Sequence, residues 1–128
     1  MSSISKIHVK GKLYSLKNPS STSWTKKEIA AASSIVTNGT NSCCYYNSTI
    51  MMATATLNLN LTTLPTASNA VLLTGLPKPK SAQYTALVDG HGRNIYGLIN
   101  TNGQFVASFI PEATGWYCGS TSYPYTAV

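Results

Sequence analysis

Apolar and polar residues alternate over most of this chain, and a period of two marks strands with one face turned inward. The clearest case is Leu57-Asn-Leu-Asn-Leu-Thr, where Leu57, Leu59 and Leu61 point one way and Asn58, Asn60 and Thr62 the other. The pattern extends upstream through Thr49-Ile-Met-Met-Ala-Thr-Ala-Thr and Cys43-Cys-Tyr-Tyr, and Leu64-Pro65 ends it. Ala70-Val-Leu-Leu-Thr-Gly predicts another short strand. Three further runs, Gln83-Tyr-Thr-Ala-Leu-Val, Asn94-Ile-Tyr-Gly-Leu-Ile and Gln104-Phe-Val-Ala-Ser-Phe-Ile, are separated by Asp89-Gly-His-Gly and Thr101-Asn-Gly. Asn102-Gly103 is a strong hairpin signal, because both central residues of the tightest turns need positive φ. Gly90 and Gly92 can supply that φ in the other turn, with Asp89 capping it through its side chain. These runs predict an up-and-down antiparallel sheet, followed by a tail rich in Gly, Tyr and Ser.

The first third is less regular. Lys6-Ile-His-Val and Leu13-Tyr-Ser-Leu, joined at Lys10-Gly11-Lys12, predict a hairpin within Ile4 to Leu16. Thr25-Lys-Lys-Glu28 fits a capping box, which opens a helix over Lys26 to Val36 that Asn38-Gly39 can terminate. Ile29, Ala32, Ile35 and Val36 would form its buried face. Leu76-Pro-Lys-Pro-Lys is a polyproline-like connector where a boundary could fall, unless one sandwich runs straight across it. The division expected is an N-terminal segment of hairpin plus helix over residues 1–41 and a β head over 42–128.

Charge changes this picture. Only 9% of the 128 residues are charged, against about 25% in ordinary soluble domains. A β protein normally keeps its edges apart with surface charge, so this scarcity points to a surface lying largely inside an oligomer or larger assembly, the other reading being a polar surface made of Ser, Thr and Asn. The net charge of +6 is uneven, because Lys6, Lys10, Lys12, Lys17, Lys26 and Lys27 all precede the first acidic residue. A solvated edge strand explains this cluster most cheaply, and docking on an acidic protein surface explains it equally well. The three cysteines, Cys43, Cys44 and Cys118, are too few for a disulfide framework and suit reduced thiols. No secretory segment opens the chain, and no apolar run is long enough to span a bilayer.

Catalytic chemistry is thinly supplied. Three acidic residues make a carboxylate pair from Asp89 and Glu112 a weak hypothesis. His8 and His91 have no activated serine beside them, and no nucleophile elbow is present. The cysteines lack zinc-ligand spacing, and no glycine loop precedes a helix to cradle phosphate. The expectation is therefore a non-enzyme without cofactor or metal. Binding chemistry is richer: Tyr84, Tyr96, Trp116, Tyr117, Tyr123 and Tyr125 crowd the second half among Asn, Ser, Thr, Asp89 and Arg93. Rigid aromatics beside small hydrogen-bonding groups suit a polyhydroxylated ligand, although tyrosine also fills half-buried β surfaces. The tail Gly115-Trp-Tyr-Cys-Gly-Ser-Thr-Ser-Tyr-Pro-Tyr is the favoured ligand segment, since flanking glycines leave its rings fewer neighbours.

Leu76-Pro-Lys-Pro, Gly92-Arg-Asn-Ile-Tyr-Gly-Leu-Ile, Thr101-Asn-Gly and the Ser-x-Tyr-Pro ending together resemble the C-terminal head domains of tailed-bacteriophage fibre and baseplate receptor-binding proteins. The opening Ile4-Ser-Lys-Ile-His-Val-Lys-Gly-Lys-Leu-Tyr-Ser-Leu-Lys is similar to the short segments that attach phage fibres to the virion. The resemblance implies a mainly β chain with an antiparallel β-sandwich, jelly-roll-like head and one short N-terminal α-helix, assembled as a homotrimer. It implies host cell-surface saccharide held by Asp89, His91, Arg93, Trp116, Tyr117 and Tyr123, and virion docking through the six N-terminal lysines. Such a protein is made in the host bacterial cytoplasm and resides in the virion, without cofactor, nucleic acid or membrane insertion. The chain departs from the pattern in having no stalk between attachment segment and head. That favours, as the alternative, a head-fibre or capsid-decorating protein with a purely structural role. A cell-wall-degrading enzyme is the third reading, disfavoured by the scarcity of acids.

Overall fold

The computed structural model describes residues 23–128 in full and, ahead of them, the backbone of residues 6–9 and 12–15. Those early stretches are β1 (Lys6–Val9) and β2 (Lys12–Ser15), paired antiparallel with Lys6 opposite Ser15 and Val9 opposite Lys12. The pairing matches the predicted hairpin; its turn at Lys10 and Gly11 lies outside the described residues.

All later strands share one sheet of 11 strands. In chain order they are β3 (Thr25–Lys27), β4 (Ala30–Ala31), β5 (Val36–Asn38), β6 (Cys43–Asn47), β7 (Met52–Leu61) and β8 (Ala70–Thr74). They continue with β9 (Lys78–Pro79), β10 (Gln83–Val88), β11 (Asn94–Ile99), β12 (Phe105–Ala107) and β13 (Gly115–Ala127). The spatial order is β3-β6-β7-β13-β10-β11-β12-β8-β4, with β5 also on β7 and β9 on β13. Each pairing is antiparallel. Because β3 and β4 belong to one stretch, residues 25–31 pair with β6 at one end of the sheet and β8 at the other. The sheet is therefore curled, with its ends bridged by a single segment and its inner face closed around one core.

The period of two decides what fills that core. Leu57, Leu59 and Leu61 of β7 have no exposed surface, while Asn58 and Asn60 between them face outward. Burying each leucine contributes about 1.5–3 kcal/mol. β13 lies beside β7 over ten residue pairs, from Gly115 opposite Leu61 to Pro124 opposite Met52. It alternates likewise: Tyr117, Tyr123 and Tyr125 turn inward, and Trp116, Cys118, Ser120 and Ser122 outward. The glycine- and tyrosine-rich tail is thus a central strand of 13 residues and not a loosely packed appendage. Ile95 and Ile99 of β11, Leu87 of β10, Phe105 of β12 and Leu72 and Leu73 of β8 complete the core.

The helix expected over residues 26–36 is not formed. That stretch holds most of β3, all of β4 and a turn in which the Val36 N–H reaches the Ser33 carbonyl at 3.4 Å. Its weak helical face loses to the sheet's two ends, which offer unpaired backbone groups that a helix could not satisfy. Ile29 is buried between those two pairings. Gly75 allows the close approach: a Cβ there would lie 2.4 Å from the Glu28 carbonyl oxygen. The expected division between residues 41 and 42 falls within this sheet, since β3, β4 and β5 pair with β6, β8 and β7. Leu76-Pro-Lys-Pro likewise carries β9 onto β13.

The cysteines occupy different environments. Cys44 sits in the core, where burial and then the neighbouring Cys43 push its pKa up to about 12 against the opposing charge of Lys27. Cys118 faces solvent. A thiol reagent at mildly alkaline pH is expected to modify Cys118 first and to reach Cys44 only on unfolding, which counting thiols with and without denaturant would check.

Candidate functional site

The outer face of β10 and β11 carries large apolar side chains in solvent. Tyr84, Ala86 and Val88 of β10 stand opposite Leu98, Tyr96 and Asn94 of β11. Tyr84 is 79% exposed and Tyr96 57%. After β12 the chain leaves the sheet and arches beside this face. The arch is tied at both feet: the Ser108 N–H donates to the Tyr96 carbonyl at 2.8 Å, and the Tyr117 hydroxyl donates to the Ala113 carbonyl at 2.7 Å. Between the feet Phe109 and Ile110 are exposed and Pro111 is buried.

Two adjoining hollows flank the arch, share Tyr96 and Phe109 in their walls, and together make up the groove. One part, about 650 Å³, is lined by Tyr84, Ala86, Leu98, Asn69 and Ser108 in addition to the shared pair. The other, about 480 Å³, is lined by Arg93, Asn94, Ile110, Pro111 and Glu112. The Asn94 side-chain N–H donates to the Tyr96 hydroxyl at 3.2 Å, which orients that ring.

The charged end rests on the β10–β11 turn. Asp89 Oδ1 accepts from the backbone N–H groups of His91 and Arg93, at 2.9 and 2.8 Å, and Oδ2 accepts from Arg93 Nε at 2.7 Å. The β11–β12 turn is its neutral twin, with Asn100 Oδ1 accepting from Asn102 and Gln104 N–H, each at 3.0 Å. In each turn only the last glycine, Gly92 or Gly103, has positive φ, at 77° and 75°. Both are three-residue loops closed by an Asx side chain, so the two-residue turn expected at Asn102-Gly103 is replaced by a longer one. The expected capping by Asp89 is present.

Burial would raise the Asp89 carboxyl, whose side chain is 5% exposed, but the donors from Arg93 and His91 outweigh it and hold the pKa at about 2. Such a carboxylate neither carries a proton at neutral pH nor makes an effective base. Its lowered pKa stabilises the fold above the unfolded value near 4, and that contribution is lost as pH falls through about 2. Asp89→Asn keeps the backbone capping of the turn, as Asn100 does in the twin, and removes the charge together with the acceptor for Arg93 Nε. Its Tm is expected to lie below wild type at neutral pH and to converge with it as pH approaches 2, which thermal melts across pH would check.

Of the residues expected to bind, Asp89, Arg93 and Tyr117 come together. Tyr117, raised in pKa by burial and then by Asp89, lies behind the turn, and Arg93 lines the groove. His91 is exposed at the turn, with Nδ1 3.2 Å from an Arg93 terminal nitrogen. Tyr117 and Tyr123 have no exposed surface and donate their hydroxyls to the carbonyls of Ala113 and Pro77, so they cannot touch a ligand. Tyr117 instead holds the arch in place. Trp116 is exposed but outside the groove, packed where a Gly39 Cβ would lie 3.1 Å from its ring. Lys26 and Lys27 lie on edge strand β3, Lys26 being 3.9 Å from Glu28; the side chains of Lys6, Lys10, Lys12 and Lys17 fall outside the described residues.

The chain matches no known protein family, no curated protein and no solved structure.

The groove's own aromatics were therefore only partly anticipated: Tyr84 and Tyr96 belonged to the aromatic crowd, whereas Phe109 and Ile110 read as the end of a strand. Pro111 was the available signal that the strand stops earlier. What the arrangement can do is bind. Three exposed rings offer flat apolar faces, and Asn69, Asn94, Arg93 and Glu112 offer donors and acceptors around them.

Proposed function

We propose that the groove binds a host cell-surface saccharide and that the chain is a bacteriophage virion protein which projects from the particle to do so. The observation that carries the reading is the pairing of exposed Tyr84, Tyr96 and Phe109 with amide, guanidinium and carboxylate groups around two adjoining hollows. Sugar C–H faces rest on rings while hydroxyls are fixed by the polar rim. In this reading the curled sheet serves as the sandwich-like head of a homotrimer, and the basic N-terminal segment docks on the particle. A glycan array probed with the full chain tests it: specific binding is expected, lost on substitution of Tyr96. No binding to any glycan, by a folded chain, would remove the reading.

The alternative, a capsid-decorating protein without ligand, is favoured by a different observation. From Ala30 to Pro77 the sequence contains no charged residue. In this span β7 turns Thr54, Thr56, Asn58 and Asn60 outward, and Ser120 and Ser122 of β13 lie opposite Thr56 and Thr54, a neutral wall suited to cover by identical neighbours. Binding to capsids but to no glycan would favour this reading.

A further inference from the structure

The end of the sheet remote from the Asp89 turn gathers apolar and basic side chains. Trp24 directly precedes β3, in which Thr25 faces Tyr46, so Trp24 stands beside the β6–β7 turn. That turn, residues 48–51, presents Ile50 and Met51, which are 49% and 41% exposed, and Trp24 is 43% exposed. β13 ends at the same place, its Tyr125 N–H donating to the Met51 carbonyl at 3.1 Å, and Ala127 faces Lys78 of β9. Lys78 and Lys80 are exposed there, and Lys26 and Lys27 follow Trp24. Among the described carboxylates, Glu28 pairs loosely with Lys26, while Asp89 and Glu112 belong to the groove end.

The β6–β7 turn is built against local preference. Asn47 Oδ1 accepts from the N–H groups of Thr49 and Ile50 at 3.0 and 3.4 Å, which fixes the turn without help from Ile50 or Met51 side chains. Met51 nevertheless has a φ of 55°, a left-handed conformation that suits glycine or asparagine. Folding alone would favour a small residue at 51 and a polar one at 50. Large apolar side chains held in solvent at a strained position point to a contact that those side chains make.

We propose that this end rests on an anionic lipid surface, with Trp24, Ile50 and Met51 at the headgroup boundary and Lys78 and Lys80 against the negative headgroups. Ile50 and Met51 stand exposed on the tip of the β6–β7 hairpin, with Trp24 exposed beside it. A protein partner would need a matching pocket, whereas a bilayer boundary closes around protruding side chains of any shape. Tryptophan favours that boundary, and lysines are drawn to its negative potential. The contact lies on the membrane and spans nothing. It is at the opposite end from the groove and does not depend on saccharide binding.

Cosedimentation of the full chain with phosphatidylcholine vesicles, with and without phosphatidylglycerol, tests the proposal. Binding is expected only with phosphatidylglycerol, and Lys78→Glu with Lys80→Glu is expected to weaken it at least about tenfold. Met51→Gly is expected to raise Tm by relieving the backbone while weakening vesicle binding severalfold, opposite movements that unfolding could not produce. Equal binding to both vesicle types, no binding to either, or binding unchanged in these variants would overturn the proposal. So would binding abolished by replacing Lys6, Lys10, Lys12 and Lys17 yet indifferent to Met51→Gly, or capture by an acidic protein surface but by no vesicle.

Discussion

Replacing both Tyr96 and Phe109 by alanine is expected to abolish saccharide binding while leaving the fold intact. Both rings border both halves of the groove, so their loss removes the apolar floor and one wall together. Truncating central aromatic anchors costs about 2 kcal/mol or more each, roughly thirtyfold in affinity per ring. Stability should barely change, because both side chains are more than half exposed, and surface substitutions usually stay within about 0.5 kcal/mol. Titration of the wild type and the variant with a glycan identified on the array, beside thermal melts of both, gives the comparison. Trp116→Ala is the control, since Trp116 belongs to the tail favoured in the sequence as the ligand segment and stands outside the groove. If Trp116→Ala eliminates binding and the double variant does not, the site is on β13 and the groove is empty of function.

That contrast shows where sequence reading stopped. The strands themselves were legible: the Leu57-Leu59-Leu61 face, the β10–β11 hairpin, the capping role of Asp89 and the short strand at Ala70 all depend on neighbours a few residues apart. The features that failed depend on partners far along the chain. Thr25-Lys-Lys-Glu28 has the residues of a helix start, but β6 and β8, residues 43–47 and 70–74, supply the backbone partners that draw it into the sheet. Tyr117 and Tyr123 looked available because glycines flank them; ten pairs with β7 bury them. The groove needs the Phe109–Glu112 arch beside β11, and the arch needs a tyrosine hydroxyl four residues beyond Ala113. No local pattern encodes that contact. The alternation of residues 117, 123 and 125 with 116, 118, 120 and 122 was in view, and read as a strand it would have turned those tyrosines inward.

Gly97→Ala is expected to destabilise the protein by about 3 kcal/mol or more, at the upper end of what overpacking usually costs. Gly97 lies on the inner face of β11 between Ile95 and Ile99, opposite Ala107 of β12. A Cβ there would be 2.3 Å from the Val106 carbonyl oxygen and 2.8 and 2.9 Å from two atoms of the Phe105 ring. The ring could turn aside at the cost of core packing, but the carbonyl belongs to the neighbouring strand, so β11 and β12 would have to separate locally. Because Ser108 continues that pairing by donating to Tyr96, the disturbance would reach the foot of the arch. Saccharide affinity should therefore fall together with Tm, unlike the Tyr96 and Phe109 variant, where affinity falls alone. Phe105→Leu in the Gly97→Ala background separates the two contacts: it relieves the ring and leaves the carbonyl, so only part of the lost stability should return. Denaturant unfolding of the two single variants and the double variant measures that coupling. A Gly97→Ala protein as stable as wild type would mean that β11 and β12 do not approach each other in this register, and the groove built on that register would go with it.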